Sequence, residues 1–456
     1  MRTKPTAVFM AFGTKGDVYP IAAIAAAFAS DQRQYEVAFV THSAHEVFSI
    51  LQKLKVHLEA KRITYFPVSS PPVMSYQDTA GSSKVSFSLQ KNEIMIKHRQ
   101  ECVSIAEGIF GEDSNMDGDL IIINFFALEG WSLAELFQVR CVVAAPYVVP
   151  YSAPSSFERQ FQKELPLLYE YLQDAPTGKV GWEDVIHWMW PFFTEDWGHW
   201  RSHDLHLSFL PFTDAVTGLP RWHERPLSPL LLLCLTGMDL AKKLLSALIT
   251  GHQEFSMGYL KNPRAFLKVL ENALSITSCR FILFSAGYGP LDAEIKMSAQ
   301  KLLSPSEQLQ LSEDQTCLFG GRLLCFSGDV PYNWLFPRCA AAIHHGGSGS
   351  TAAALHAGIP QVICPFILDQ FYWAERMFWL GVAPEPLKGT CLVPDKDNDC
   401  YIMEAANMLV GAINRALSPE VKLQASQIAN RISGEDGVSE AVRLIREEIN
   451  CTGAAV

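Results

Sequence analysis

The sequence predicts an α/β protein made of two Rossmann-like, doubly wound domains facing each other across a cleft. Three observations carry that expectation. Segments rich in β-formers at 6–12, 35–41, 119–124 and 140–145 alternate with helical ones at Ile21 to Ser30, His45 to Leu54 and Lys91 to Phe110. Alternation of this kind gives a parallel sheet with helices on its faces. A second alternating region begins near Ser256 and contains Arg280 to Ser285, Leu323 to Phe326, Ala340 to Ile343 and Gln361 to Cys364. Finally, 456 residues are enough for two domains, each with its own core. The boundaries follow: an N-terminal domain over 1–225, an atypical interdomain segment over 226–255, and a C-terminal domain over 256–456. Val438 to Ile449 reads as a terminal helix.

Composition narrows the functional classes. An apolar fraction of 48% suits a globular protein. The formal net charge is −11 and no Lys/Arg block occurs, so the electrostatic footprint of nucleic-acid binding is missing and no nucleic-acid partner is expected. The 11 cysteines include no Cys-x-x-Cys, and several lie in apolar runs, as buried thiols of a reducing compartment do. The apolar run Thr6 to Phe12 is too short for a signal peptide, and Leu230 to Leu235 falls far short of a membrane span. A cytoplasmic chain with peripheral membrane contact is the expectation.

The run His344-His345-Gly346-Gly347-Ser348-Gly349-Ser350-Thr351 follows the apolar Cys339 to Ile343 and precedes Ala352 to Ala357, so it reads as strand, glycine turn and helix start. Gly346, Gly347 and Gly349 let a ligand approach the backbone, and the hydroxyls of Ser350 and Thr351 join free N–H groups at the positive end of the helix. A diphosphate fits such a junction. Gly358 and Pro360 close the helix, and Gln361 to Cys364 starts a strand that ends at Pro365-Phe366 and delivers Asp369-Gln370. In a βαβ unit both strand ends share one rim. A carboxylate beside an amide suits the hydroxyls of a sugar. At the other end of the chain, Gly13-x-x-Gly16-Asp17 follows the first strand and precedes a helix expected to open near Pro20. Asp17 there could take a proton from a hydroxyl or could cap the helix, and the residues alone leave both roles open.

From Val330-Pro-Tyr-Asn-Trp-Leu-Phe-Pro-Arg338 through HHGGSGST and PFILDQFYWAERM to Gly381-Val-Ala-Pro384, the chain resembles the donor-binding signature of UDP-dependent glycosyltransferases, specifically the sterol 3-beta-glucosyltransferase branch. Gly13-Thr-Lys-Gly-Asp-Val-Tyr-Pro20 is similar to the short glycine motif that opens those enzymes. The resemblance implies the two-domain GT-B fold, with the lipophilic acceptor on the N-terminal domain and the nucleotide sugar on the C-terminal one. It implies transfer of glucose from UDP-glucose to the 3-hydroxyl of a sterol or similar lipid, with inversion and without a cofactor. It also implies roles: Asp17 as base, where many plant relatives use a nearby histidine; His345 on the phosphates; Gly347, Ser348, Gly349, Ser350 and Thr351 as the cradle; Asp369 and Gln370 on the sugar. Gly13, Thr14, Gly16 and Ser256 complete the donor-binding set, and His344 orients the turn. Ala353 stands where plant small-molecule relatives carry a glutamate, as in the sterol branch.

Other clusters read as structural. Asp117-Gly-Asp119 and Asp395-Lys-Asp397 look like solvated turns, and His199, His203 and His206 like residues on one face of an aromatic segment, so no metal is expected. Five of the 10 tryptophans, Trp182, Trp188, Trp190, Trp197 and Trp200, form either packed core or an acceptor pocket. The match fails in one place. Ser256-Met-Gly258 resembles the end of the family's Gly-Ser loop, but the apolar strand that should precede it is missing, and Leu230 to Leu248 reads as an amphipathic helix. A non-catalytic UDP-sugar or lipid-binding homologue is therefore the rival reading. A nicotinamide-dependent oxidoreductase lacks the Gly-x-Gly-x-x-Gly turn after either first strand.

Overall fold

The computed structural model describes residues 2–45, 52–72, 84–111, 116–145, 153–176, 180–221, 232–233, 260–285, 288–302, 315–327, 332–366, 369–388 and 397–451. They fall into two compact units, one of Met1–Gly237 with Asp436–Val456 and the other of Met238–Glu435.

The first unit holds a six-stranded sheet of β1 (Thr6–Met10), β2 (Glu36–His42), β3 (Ile63–Val68), β4 (Leu120–Ile123), β5 (Arg140–Ala145) and β6 (Leu232–Leu233), in the order β3-β2-β1-β4-β5-β6. Every pairing is parallel. β1 and β4 are buried along their whole length, which is why they read as continuous apolar runs: a strand covered on both faces has no side for polar residues. The strand order reverses between β1 and β4, and the crevice beyond the carboxyl ends at such a reversal is where doubly wound sheets bind ligands. β3 is a strand the alternation did not include. Among the described residues it is an edge strand, the place in a sheet where a proline such as Pro67 is tolerated.

Four helices follow the first strands: α1 (Lys15–Asp31), α2 (Gln52–Ala60), α3 (Lys84–Phe110) and α4 (Glu129–Leu136). α1 opens at Lys15 with Thr14 as its N-cap and not near Pro20. Pro20 lies inside the helix, where its missing N–H forgoes one i→i−4 bond. The helix expected from Leu230 is also corrected, since Leu232 and Leu233 pair with Ala144 and Ala145. An apolar run suits helix or strand, and the open edge of β5 offers its backbone groups partners. The remaining residues of 222–259 lie outside the described ones.

The chain returns to this unit at its end. The helix Gly437–Cys451, assigned from sequence to the 256–456 domain, packs against α1. Arg140 Nη1 donates to the Glu448 and Ile449 carbonyls at 3.1 Å each, supplying donors to the last turn of that helix. Trp182, Trp188, Trp197 and Trp200 are buried, with ring centroids 5.3 Å apart for Trp197 and Trp200 and 5.8 Å for Trp131 and Trp188, so these four pack the core.

In the second unit β7 (Phe281–Phe284), β8 (Gln315–Leu318) and β9 (Leu323–Phe326) form one sheet in the order β7-β9-β8, while β10 (Ala342–His344) and β11 (Gln361–Ile363) form a parallel pair. β8 runs antiparallel to β9. The helices Pro263–Ile276 and Asp399–Ala416 bury Leu267, Leu270, Ile402 and Leu409 in a cluster with Leu323 and Cys325 of β9. Among the described residues β7 pairs only with β9 and β10 only with β11. A cavity of ≈ 790 Å³ is lined by both, with Phe281, Leu283, Ala342 and His344 on its walls.

Candidate active site

The turn after β1 sits at the strand-order reversal of the first unit. Gly13 has φ +101°, and a β-carbon there would meet Asp17 Oδ2 at 2.7 Å, so both the backbone angle and the space require glycine. Asp17, half-buried in the first turn of α1, accepts from the Thr14 N–H at 2.7 Å and from the Thr14 hydroxyl at 2.8 Å through the same Oδ2. Gly16 is exposed beside it. From the end of β4, Asn124 ties the arrangement together: it donates to the carbonyls of Phe12 at 2.9 Å and Asp17 at 3.1 Å, and accepts from the Phe12 N–H at 3.2 Å. Asn124 is fully buried. Its signal in the sequence was one polar side chain closing an apolar strand.

Several residues that hold this turn escaped sequence reasoning. The Gly13 N–H donates to His42 Nε2 at 3.1 Å, and the Gly13 carbonyl accepts from His45 Nε2 at 3.2 Å. Behind them, His42 Nδ1 lies 3.0 Å from Ser70 Oγ, Ser70 Oγ lies 2.7 Å from His98 Nδ1, and His98 Nε2 faces Glu129 Oε2 at 3.6 Å. All of these side chains are buried. Burial first, and then the neighbouring His98 and His45, push the His42 pKa down to about 3, so its ring is neutral. Burial alone would raise the Glu129 carboxyl, but His98 first and Arg99 after it hold it below the usual range.

The second unit carries the other motif. β10 delivers His344, the chain turns through Gly346 at φ +91°, and the helix Ser348–Ala357 begins with Gly347 as N-cap. The N–H groups of its first turn have no intrahelical acceptor and carry the positive end of the helix dipole. His345 Nε2 stands 2.5 Å from where a Gly347 β-carbon would be, so the ring lies against the start of the helix. Burial and then His344 push its pKa down to about 3, leaving a neutral imidazole that offers an anion a hydrogen bond and no charge. Gly349 is exposed, Ser348 half-buried, and Ser350 and Thr351 are buried. Among the described residues the Thr351 hydroxyl has no hydrogen-bond partner.

His344 orients this turn through a directional chain. The Gly346 N–H donates to His344 Nδ1 at 3.0 Å, which leaves Nε2 as the protonated nitrogen, 2.8 Å from Gln361 Oε1. A β-carbon on Gly346 would meet the Gln370 carbonyl at 3.0 Å, so the glycine turn and the start of the Asp369–Trp379 helix are in contact. Asp369 Oδ2 accepts from Trp373 Nε1 at 3.1 Å, and burial raises its pKa. Gln370, buried, accepts at Oε1 from the Phe366 N–H at 2.9 Å.

The structure thus brings Gly13, Thr14, Gly16 and Asp17 together in the first unit, and His345 to Thr351 together with Asp369 and Gln370 in the second. Ser256 lies outside the described residues. The acidic pairs have other partners: Asp119 is buried and accepts from Arg2 at 2.9 and 3.1 Å and from the Thr6 N–H at 2.7 Å, and Asp397 accepts from Lys268 at 2.7 Å. Among the described residues no group of three or more His, Cys, Asp or Glu could hold a metal ion. Cys102, Cys141, Cys325 and Cys364 are buried free thiols.

Two α/β units with a glycine turn at the strand ends of each define the GT-B glycosyltransferase fold. The solved glycotransferase of kitacinnamycin has the same architecture, superposing over 98% of this chain and 100% of its own with a TM-score of 0.57 at 14% identity. Residues 322–435 match the family described as Erythromycin biosynthesis protein CIII-like, C-terminal domain, so the second unit carries a glycosyltransferase-family domain. A sterol 3-beta-glucosyltransferase of Arabidopsis thaliana is 40% identical over 114 residues, 25% of this chain and 17% of that protein. A sterol 3-beta-glucosyltransferase of Komagataella phaffii is 24% identical over 471 aligned residues, 97% of this chain and 34% of that protein. The chain therefore spans about a third or less of the length of these relatives.

Proposed function

We propose that this chain is a UDP-glycosyltransferase moving glucose from UDP-glucose to the 3-hydroxyl of a sterol or similar lipid, with inversion at the anomeric carbon. The observation that carries the reading is the contact of the Gly346 turn with Gln370, which brings a diphosphate-type helix terminus and an acid–amide pair onto one rim. The matches to sterol glucosyltransferases support the acceptor class.

In this mechanism the acceptor hydroxyl gives its proton to the Asp17 carboxylate as its oxygen attacks the anomeric carbon, and the bond from that carbon to the UDP oxygen breaks. Charge grows on the departing diphosphate, where the N–H groups opening the Ser348–Ala357 helix and the His345 ring supply donors. Asp369 and Gln370 hold the sugar hydroxyls. No metal is required. The same reading assigns the chain to the cytoplasm, touching membrane surfaces to reach its acceptor. Among the described residues no helix is long and apolar enough to cross a membrane.

A second reading, a non-catalytic UDP-sugar or lipid-binding homologue, is favoured by the edges of β7 and β10 that remain unpaired among the described residues. One assay separates the two. The full chain is incubated with labelled UDP-glucose and sterol-bearing vesicles, and lipid-soluble glucoside is measured. Label transferred to the sterol in the β configuration supports the enzyme; UDP-glucose binding with no transfer leaves the binder.

A further inference from the structure

Both backbone polar groups of Gly13 are held by histidines, and the first of these contacts sets the tautomer of His42 and the direction of its bond to Ser70. A backbone N–H only donates, so His42 Nε2, 3.1 Å from it, is the acceptor and the proton of the neutral ring is on Nδ1. His42 Nδ1–H then donates to Ser70 Oγ at 3.0 Å, and Ser70 Oγ in turn lies 2.7 Å from His98 Nδ1, while His98 Nε2 faces both Cys102 Sγ at 3.8 Å and Glu129 Oε2 at 3.6 Å. These residues come from β2, the segment after β3, α3 and α4, four elements converging below the end of β1. Phe12, the residue before Gly13, packs against both rings, with centroids 4.9 Å from His42 and 4.6 Å from His98. The second unit repeats the device at its own turn, where the Gly346 N–H donates to His344 and the tautomer passes on to Gln361.

We propose that His42, Ser70 and His98 form a hydrogen-bond relay that holds the 13–17 turn in its reactive shape, making His42 a positioning residue for Asp17. The inference rests on the reading of Asp17 as the base, and the relay itself is measurable without turnover. The Gly13 amide has a positive φ, and the Asp17 carboxylate lies where a Gly13 side chain would go, so losing the His42 acceptor frees the peptide to rotate and carries the carboxylate off its position. A misplacement of about 1 Å costs roughly 10²-fold in rate.

Ring ¹⁵N spectra of the full chain at pH 7, assigned with His42→Gln and His98→Gln, read the tautomers. Nδ1–H at His42 is expected, and Nε2–H at His42 overturns the relay. In steady-state assays His42→Ala lowers kcat by about 10²-fold with the UDP-glucose KM unchanged, and His42→Gln, which keeps an acceptor and a donor on one side chain, recovers most of it. A folded His42→Ala protein with wild-type kcat overturns the positioning role. If wild type shows no turnover, the base reading has failed, and amide exchange decides the relay alone: His42→Ala must accelerate exchange at Gly13 relative to β1, and unchanged exchange overturns it.

Discussion

Asp17 Oδ2 accepts two hydrogen bonds from Thr14, one from its backbone N–H at 2.7 Å and one from its hydroxyl at 2.8 Å. The carboxylate therefore completes a capping box at the start of α1, with Thr14 as N-cap and Asp17 as its N3 partner, which is the capping role left open by the sequence; the base role belongs to the proposed mechanism. Asparagine retains the acceptor needed for the cap and loses the base. Asp17→Asn is expected to lower turnover by roughly 10²–10⁴-fold with melting temperature and UDP affinity nearly unchanged. Full turnover in that variant would place the base elsewhere.

His345 lies against the start of the Ser348–Ala357 helix as a neutral ring. His345→Ala is expected to weaken UDP binding by roughly 1.5–3 kcal/mol, the range for a hydrogen bond to a charged group, and to leave the fold intact. Calorimetric titration with UDP checks it, and equal affinities would remove the residue from the site.

Asp369 and Gln370 open the helix that touches the glycine turn. If they hold the sugar, Asp369→Ala and Gln370→Ala lose affinity for UDP-glucose and keep it for UDP. Parallel titrations with the two ligands test this, and equal losses for both would make the pair structural.

Transfer is expected to proceed without added metal and in the presence of EDTA, because helix-terminal N–H groups and a histidine supply the charge stabilisation. An absolute requirement for a divalent ion, found on titrating chelated enzyme, would refute this and promote the acidic pairs.

Stability should fall on mild acidification. Burial holds His42 at about 3, His344 at about 4 and His345 at about 3, all below the ordinary value of about 6.5. Between those values the unfolded chain binds protons that the folded chain refuses, so stability rises with pH across the window and is lost as pH drops from 6.5 toward 4. Each histidine contributes a slope of up to about 1.4 kcal/mol per pH unit. Denaturant titrations at pH 7.5 and 5.5 measure it, and equal midpoints would contradict neutral burial. Asp369, its carboxyl raised by burial, opposes the trend only near the carboxylate range.

By itself the sequence determined the class of fold and the local chemistry of both turns. The residues from His344 to Gln370 form one β-turn-α-β run, so strand period, turn glycines and helix start all report on neighbours within a few residues of each other. The glycine turn carrying Asp17 was legible for the same reason. Tertiary structure alone decided what holds those turns. His42, Ser70, His98 and Asn124 reach groups 28 to 112 positions away, in several elements, and no local period registers a hydrogen bond across such separations. It also decided that Gly437–Cys451 returns to the first unit and that Leu232-Leu233 joins β5. An amphipathic helix or an apolar run shows that it needs a partner, whereas which open surface or strand edge supplies that partner is settled only when the whole chain packs.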